Sequence, residues 1–186
     1  MAEHNRNLFE RGMDIIPCIN QSDLNGTTVT GDWIKALHYS RIGVLMAKYG
    51  SEDVDDTGLQ LLQGTSATGT GSKALSVPAN ARIFYKTGTL TSQALWTAFA
   101  ASTSSIDGMA FGSAVPTGFT RVVADVNTAA LLLYVDFAVS EMDADGGFNW
   151  FTAYFGNNVN NALLVSVWAV LMGGNYPQAI PLSAIS

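Results

Sequence analysis

Charge is scarce in this chain. Asp, Glu, Lys and Arg make up 13% of it, about half the share of ~25% usual in globular domains. An isolated protein keeps clear of its neighbours through surface charge. So thin a complement points either to a surface solvated by Ser, Thr and Asn or to one covered in part by other subunits. What charge there is leans acidic, with 15 Asp and Glu against 9 Lys and Arg and a net charge of −6. The basic residues are scattered, so no basic face exists to bind the phosphates of a nucleic acid.

Cys18 is the single cysteine, which excludes an intrachain disulfide framework. Set between Pro17 and Ile19, it reads as a small buried hydrophobe rather than a nucleophile. His4 and His38 are the only histidines, too few for a histidine-rich metal site. Only His38 could act as the base of a Ser–His–Asp triad. No G-x-S-x-G elbow accompanies it, so His38 is expected to be an ordinary strand residue. Long apolar runs are missing as well. The longest, 129–135 and 162–172, fall short of the ~20 residues of a membrane helix. The opening MAEHNRNLFERGMD is polar and has no apolar stretch of the secretory kind. Synthesis in a cytoplasm, with no membrane partner, is the expectation.

What the chain does have is short apolar runs between turns rich in Gly, Ser and Thr. Residues 1–14 read as a polar N-terminal arm and 15–186 as one domain, long enough to bury a core without disulfides or metals. Asn25-Gly26 is a strong hairpin dipeptide. In residues 31–50, β-branched Ile34, Ile42 and Val44 together with Tyr39 and Gly43 favour strands over a helix, at 33–38 and 41–48. Further strands are expected at 59–63, 81–86, 93–100, 119–125, 130–140, 148–155 and 163–171. Between them lie an acidic loop at 51–58, a flexible loop at 64–72 and a long Gly/Ser/Ala loop at 102–118. In the aromatic run, Phe151 alternates with Ala153 and Phe155, and Trp150 with Thr152 and Tyr154. One face should be core; the other is open to contact between subunits. The run 163–171 is apolar on both faces, which places it centrally in a sheet. Strands at this spacing with Gly-rich turns predict an all-β fold, an antiparallel β-sandwich of jelly-roll type.

Three motifs invite a chemical reading. Gly69-Thr-Gly71-Ser-Lys73-Ala74 fits G-x-G-x-x-A. Such a fingerprint must open a helix so that backbone N–H groups face a pyrophosphate. Pro78 would stop that helix early, and no Asp or Glu occurs between Asp56 and Asp107 to hold a ribose. The clusters Glu52-Asp53-Val54-Asp55-Asp56 and Glu141-Met142-Asp143-Ala144-Asp145-Gly146 are rich in carboxylates. Neither has the spacing of a calcium loop, and solvated turns account for both. The residues therefore nominate no catalytic, cofactor-binding or metal-binding side chain, and no enzyme activity is expected.

The phrases GTGSKAL (69–75), ARIFYKTGTLTS (81–92) and ALWTAF (94–99) resemble a family of small virion-associated proteins of tailed bacteriophages. The likeness extends to 22–50, to EMDADGGFNWF (141–151), to the closing apolar run and to NYPQAIP (175–181). It is weakest in the arm and at 102–118. It implies a virion component made in the host bacterial cytoplasm, a capsid decoration or cement protein on the capsid surface whose partner is the major capsid protein. A head-fibre, tail or adhesin module that binds host-surface glycan is the alternative. Strand edges need cover, and identical chains usually supply it with closed symmetry. A homotrimer on three-fold positions is expected, with a homodimer next, and the arm should order against a neighbour.

Overall fold

The computed structural model describes residues 12–23, 27–50, 56–75, 82–87, 97–100, 105–106, 109–111, 121–122, 130–157 and 163–174. Fourteen strands occur in them: β1 (Asp14–Asp23), β2 (Thr28–Thr30), β3 (Ile34–Lys35), β4 (Arg41–Gly50), β5 (Asp56–Gly64), β6 (Lys73–Ala74), β7 (Arg82–Thr87), β8 (Thr97–Ala100), β9 (Ser105–Ile106), β10 (Met109–Phe111), β11 (Arg121–Val122), β12 (Ala130–Ala138), β13 (Trp150–Asn157) and β14 (Leu163–Met172). A single 3₁₀ turn, Val139–Glu141, follows β12, and no α-helix occurs among the described residues.

One sheet runs β1-β14-β4-β12-β7-β8, and a second runs β2-β13-β5-β6, with β3 also on β13; β9, β10 and β11 form a small third sheet. Every pairing is antiparallel. The logic of the order appears when β3 and β7–β11 are set aside. The remaining eight strands pair first with last (β1 with β14), second with seventh (β2 with β13), third with sixth (β4 with β12) and fourth with fifth (β5 with β6). This is a folded-over ribbon, rolled so that β14 also meets β4 and β13 also meets β5. It is the strand order of a jelly roll. Strands β7–β11 are an insertion between its fifth and sixth strands, and β7 and β8 widen the first sheet.

The two sheets share one apolar core. Alternation supplies it: Leu131, Leu133, Val135 and Phe137 from β12 are buried, as are Val165, Val167, Ala169 and Leu171 from β14. Phe151, Ala153 and Phe155 face them from β13, with Leu59 and Leu61 from β5. The crossing from β2 to β3 ties the sheets together. Gly31 N–H donates to the Ala153 carbonyl and Asp32 N–H to the Cys18 carbonyl, both at 2.8 Å. The Thr152 hydroxyl donates to the Gly31 carbonyl at 2.8 Å.

Several elements depart from the sequence expectation. Asp14–Asp23 is a strand, which the polar Asn20, Gln21 and Ser22 conceal. Its Pro17 is tolerated because β1 is an edge strand, bonded to β14 alone. The expected strand at 33–38 shrinks to Ile34–Lys35, because the chain turns at Leu37–His38 and Tyr39 N–H bonds the Ala36 carbonyl at 3.0 Å. His38 is thus an exposed turn residue and not a strand residue. The long loop at 102–118 contains β9 and β10. Asn25-Gly26 lies outside the described residues, and the strands flanking it, β1 and β2, belong to different sheets. Residues 1–11 of the arm also lie outside the described residues.

Candidate functional site

Two surfaces gather the side chains that a partner could meet. The first is one end of the sandwich, where the loop after β5 meets the turn before β13. The loop closes on itself: the Thr65 hydroxyl donates to the Thr70 carbonyl at 2.9 Å, and Thr68 and Thr70 N–H groups donate to the Ser66 hydroxyl at 3.3 and 3.2 Å. Gly69 and Gly71 take positive φ, +73° and +66°, which only glycine adopts freely. The Trp33 indole leaves no room there for a side chain. A Cβ on Gly64 or Gly69 would stand 2.7 or 2.5 Å from its ring. The expected flexible loop is therefore a closed one. Its G-x-G-x-x-A run ends in β6, a strand, and not at the start of a helix.

The carboxylate cluster at 141–146 is built into this end. Asp143 forms an ion pair with Lys73, accepts the Gly146 N–H at 3.0 Å, and donates its own N–H to Gln63 at 2.9 Å. The Lys73 ammonium, then the Gly146 N–H, hold the Asp143 carboxyl below its ordinary range. Lys73 also sits 4.1 Å from the Phe148 ring centroid, and Lys35 sits 5.9 Å from that of Trp150. Gln63 and Asp143 are thus used in joining loop to turn. No group of three His, Cys, Asp or Glu able to hold a metal occurs among the described residues. The cluster at 52–55 and His4 lie outside them.

Cys18 is buried where the two sheets meet. Its Sγ accepts the Ala153 N–H at 3.3 Å and lies 3.6 Å from the Thr152 hydroxyl. Burial pushes the thiol above its usual range, which leaves it un-ionised and unreactive at neutral pH.

The second surface is the outer face of the six-stranded sheet. The inward residues of β4, β12 and β14 are core, so the alternate residues point outward. Register aligns them in rows across the sheet. Pro17, Trp168, Leu45, Tyr134 and Phe84 form the central row. Ser166, Ala47 and Leu132 lie on one side of it, with Leu164 and Tyr49 beyond. Ile15, Val170, Gly43 and Asp136 lie on the other. Antiparallel sheets with a wet outer face normally alternate apolar-in and polar-out. This one is apolar on both sides. Among the described residues, three of the four large hydrophobics that stand exposed are here: Ile15 at 45%, Tyr49 at 47% and Leu164 at 38%. Arg41 and Asp136 pair with each other at its end.

Sequence reasoning named no residue of this face as a contact. The signal was available, because Leu45, Ala47 and Tyr49, like Leu132 and Tyr134, are apolar in the phase opposite to the core. No family model matches the chain, and no curated protein matches it in sequence.

Proposed function

We propose that this chain is a structural component of a tailed-phage virion, a decoration or cement protein that binds the outer face of the capsid lattice and stabilises it. The observation that carries the proposal is the apolar outer face of the six-stranded sheet, on a chain with so little charge. A surface of that kind belongs against another protein. The jelly-roll order supports the reading, since viral capsid domains use it; lectins and cupins use it too, so the fold alone does not decide.

The mechanism is additive burial. Each subunit bridging capsomers removes apolar area from water at ~25 cal/mol per Å². Copy number multiplies what is left after the cost of association. Partners are the major capsid protein and other copies of the chain, as a trimer on three-fold positions or a dimer on two-fold positions. The apolar sheet face favours the dimer.

Mass spectrometry of purified mature heads is the direct test. The expected result is this chain in stoichiometric amount, with heads that lack it losing their contents at lower temperature. Its absence from heads and whole particles ends the proposal.

A glycan-binding head-fibre, tail or adhesin module is the second reading. Half-buried Trp150 beside Lys35 favours it, since aromatic faces stack on sugars. Binding to a glycan array that Trp150→Ala abolishes would select it over the cement role.

A further inference from the structure

We propose that the outer face of the six-stranded sheet is a self-association surface, on which two copies of this chain meet face to face about a two-fold axis. The inference rests on the same face that carries the virion reading and names its occupant as a second copy of the chain, so that a capsid contact would fall to another surface of the dimer.

Size is the first argument. Strands β1, β14, β4, β12 and β7 lie side by side. With strands ~4.8 Å apart and about nine residues long, they present a rectangle on the order of 700 Å². A stable interface buries about 600–1,000 Å² per partner. One face of this sheet against another therefore reaches the size a dimer needs.

Charge is the second. The chain carries a net charge of −6, so most of its surface repels a second copy. The charged side chains described on this face are Asp23 and Asp136 against Arg41 and Lys86. Two of each sign balance. Arg41 and Asp136 are already paired within the subunit. Among the described side chains, the charges away from this face lean acidic, with Asp14, Asp32, Glu141, Asp143 and Asp145 against Lys35, Lys48 and Lys73, so this face opposes a second copy least.

Composition is the third. The central row from Pro17 to Phe84 contains Trp168 and Tyr134, both half-buried. Aromatic residues are enriched and charges depleted at the centres of interfaces. Here Trp168, Tyr134 and Phe84 lie in the central row, with Asp136 and Lys86 one row from it and Asp23 and Arg41 two rows from it. A face that meets its own copy does so with two-fold symmetry, the same patch on both subunits. Sheets stacked in this way pack ~10 Å apart.

The test uses the full-length chain, Leu45→Glu at the centre of the face and Tyr49→Glu at its exposed rim. Sedimentation equilibrium should give twice the 19.7 kDa chain mass for the unchanged protein. Both variants should sediment as monomers, the dimer weakened by about a hundredfold for the central one. Their strand signal in circular dichroism should be unchanged. If Leu45→Glu fails to fold, Tyr49→Glu decides, since its side chain is already half in solvent. An unchanged protein that sediments as a monomer or a trimer overturns the proposal, and so does a dimer that neither folded variant splits. Capsid binding is read separately, so a monomer found on mature heads would sink this inference and leave the cement role standing.

Discussion

The Tyr134 ring lies across Gly43 on the neighbouring strand. A Cβ built on Gly43 would fall 2.6 Å from the Tyr134 hydroxyl oxygen and 2.8 Å from the ring. Tyr134 is registered opposite Leu45, so the ring leans diagonally over the one residue that has no side chain. The phenol is half-buried there. Burial, then the Asp136 carboxylate, push its pKa above the usual tyrosine range.

This contact predicts a change of sign. Gly43→Ala should destabilise by about 1 kcal/mol, the low end for overpacking, because the ring can swing outward. In a Tyr134→Ala background the same change should stabilise by about 0.5–1 kcal/mol, since alanine is better than glycine inside a strand. Urea titration of the four proteins measures the cycle. Equal effects in both backgrounds would show that the ring does not rest on Gly43.

Gly31 predicts a larger effect. A Cβ there would stand 2.5 Å from the Cys18 carbonyl oxygen and 2.6 Å from its Sγ. The first of these is backbone and cannot swing away. Gly31→Ala should therefore cost about 2–3 kcal/mol and loosen the Asp32–Cys18 bond that joins the sheets. The reporter is Cys18 itself. In the unchanged protein it should react with a thiol reagent only on unfolding. In Gly31→Ala it should react measurably faster under native conditions. A thiol that reacts freely in the unchanged protein would contradict the buried junction.

How far the sequence could be read follows from what each strand faces. Alternation marked 130–140 and 148–155 because one phase of each is core: Leu131, Leu133, Val135 and Phe137 in the first, Phe151, Ala153 and Phe155 in the second. The interior place of 163–171 was legible from its apolarity, and β14 does lie between β1 and β4. β1 was not legible, because an edge strand tolerates Pro17 and the polar Asn20–Ser22 stretch blurs the period. Nor does alternation say which strand pairs with which, since first-with-last pairing brings Asp14 beside Leu171 across nearly the whole chain. The outer face escaped for a related reason. Apolarity in both phases marks a strand deep within a sheet, and a face awaiting a partner has the same pattern.

The Lys73–Asp143 pair predicts a pH dependence confined to one end of the molecule. The folded state lowers the Asp143 pKa, through Lys73 first and Gly146 second. A group depressed in this way contributes stability above its unfolded value, near 3.8, and loses it as pH falls through the lower folded value. Asp143→Asn should therefore speed hydrogen exchange of the Gly146 amide relative to the unchanged protein at pH 6. The difference should close as the carboxylate is protonated, at a pH below the ordinary value of 3.8. The pair is exposed, so global stability should hardly change. A difference that persists undiminished in acid would assign the effect to something other than the charge.

Neighbours in β14 separate the fold from its surface. Val167 is fully buried, registered between Ile19 of β1 and Met46 of β4. Val167→Asp places a carboxylate in the core between Ile19 and Met46, at a cost of about 3–5 kcal/mol. Small domains are stable by roughly 5–15 kcal/mol, so this variant should unfold or aggregate, or melt far below the unchanged protein. Ser166 is one residue away and points to the other side, beside Ala47. Ser166→Asp should keep the fold, with a thermal midpoint for the isolated subunit shifted by no more than a few degrees. It should nonetheless split the dimer, because each copy then carries a charge into the apolar face one row from its centre. Circular dichroism and sedimentation on the same two samples read both outcomes. A folded, stable Val167→Asp would mean that β14 is turned over in its sheet. A Ser166→Asp protein that remains a dimer would mean that the copies meet on some other surface.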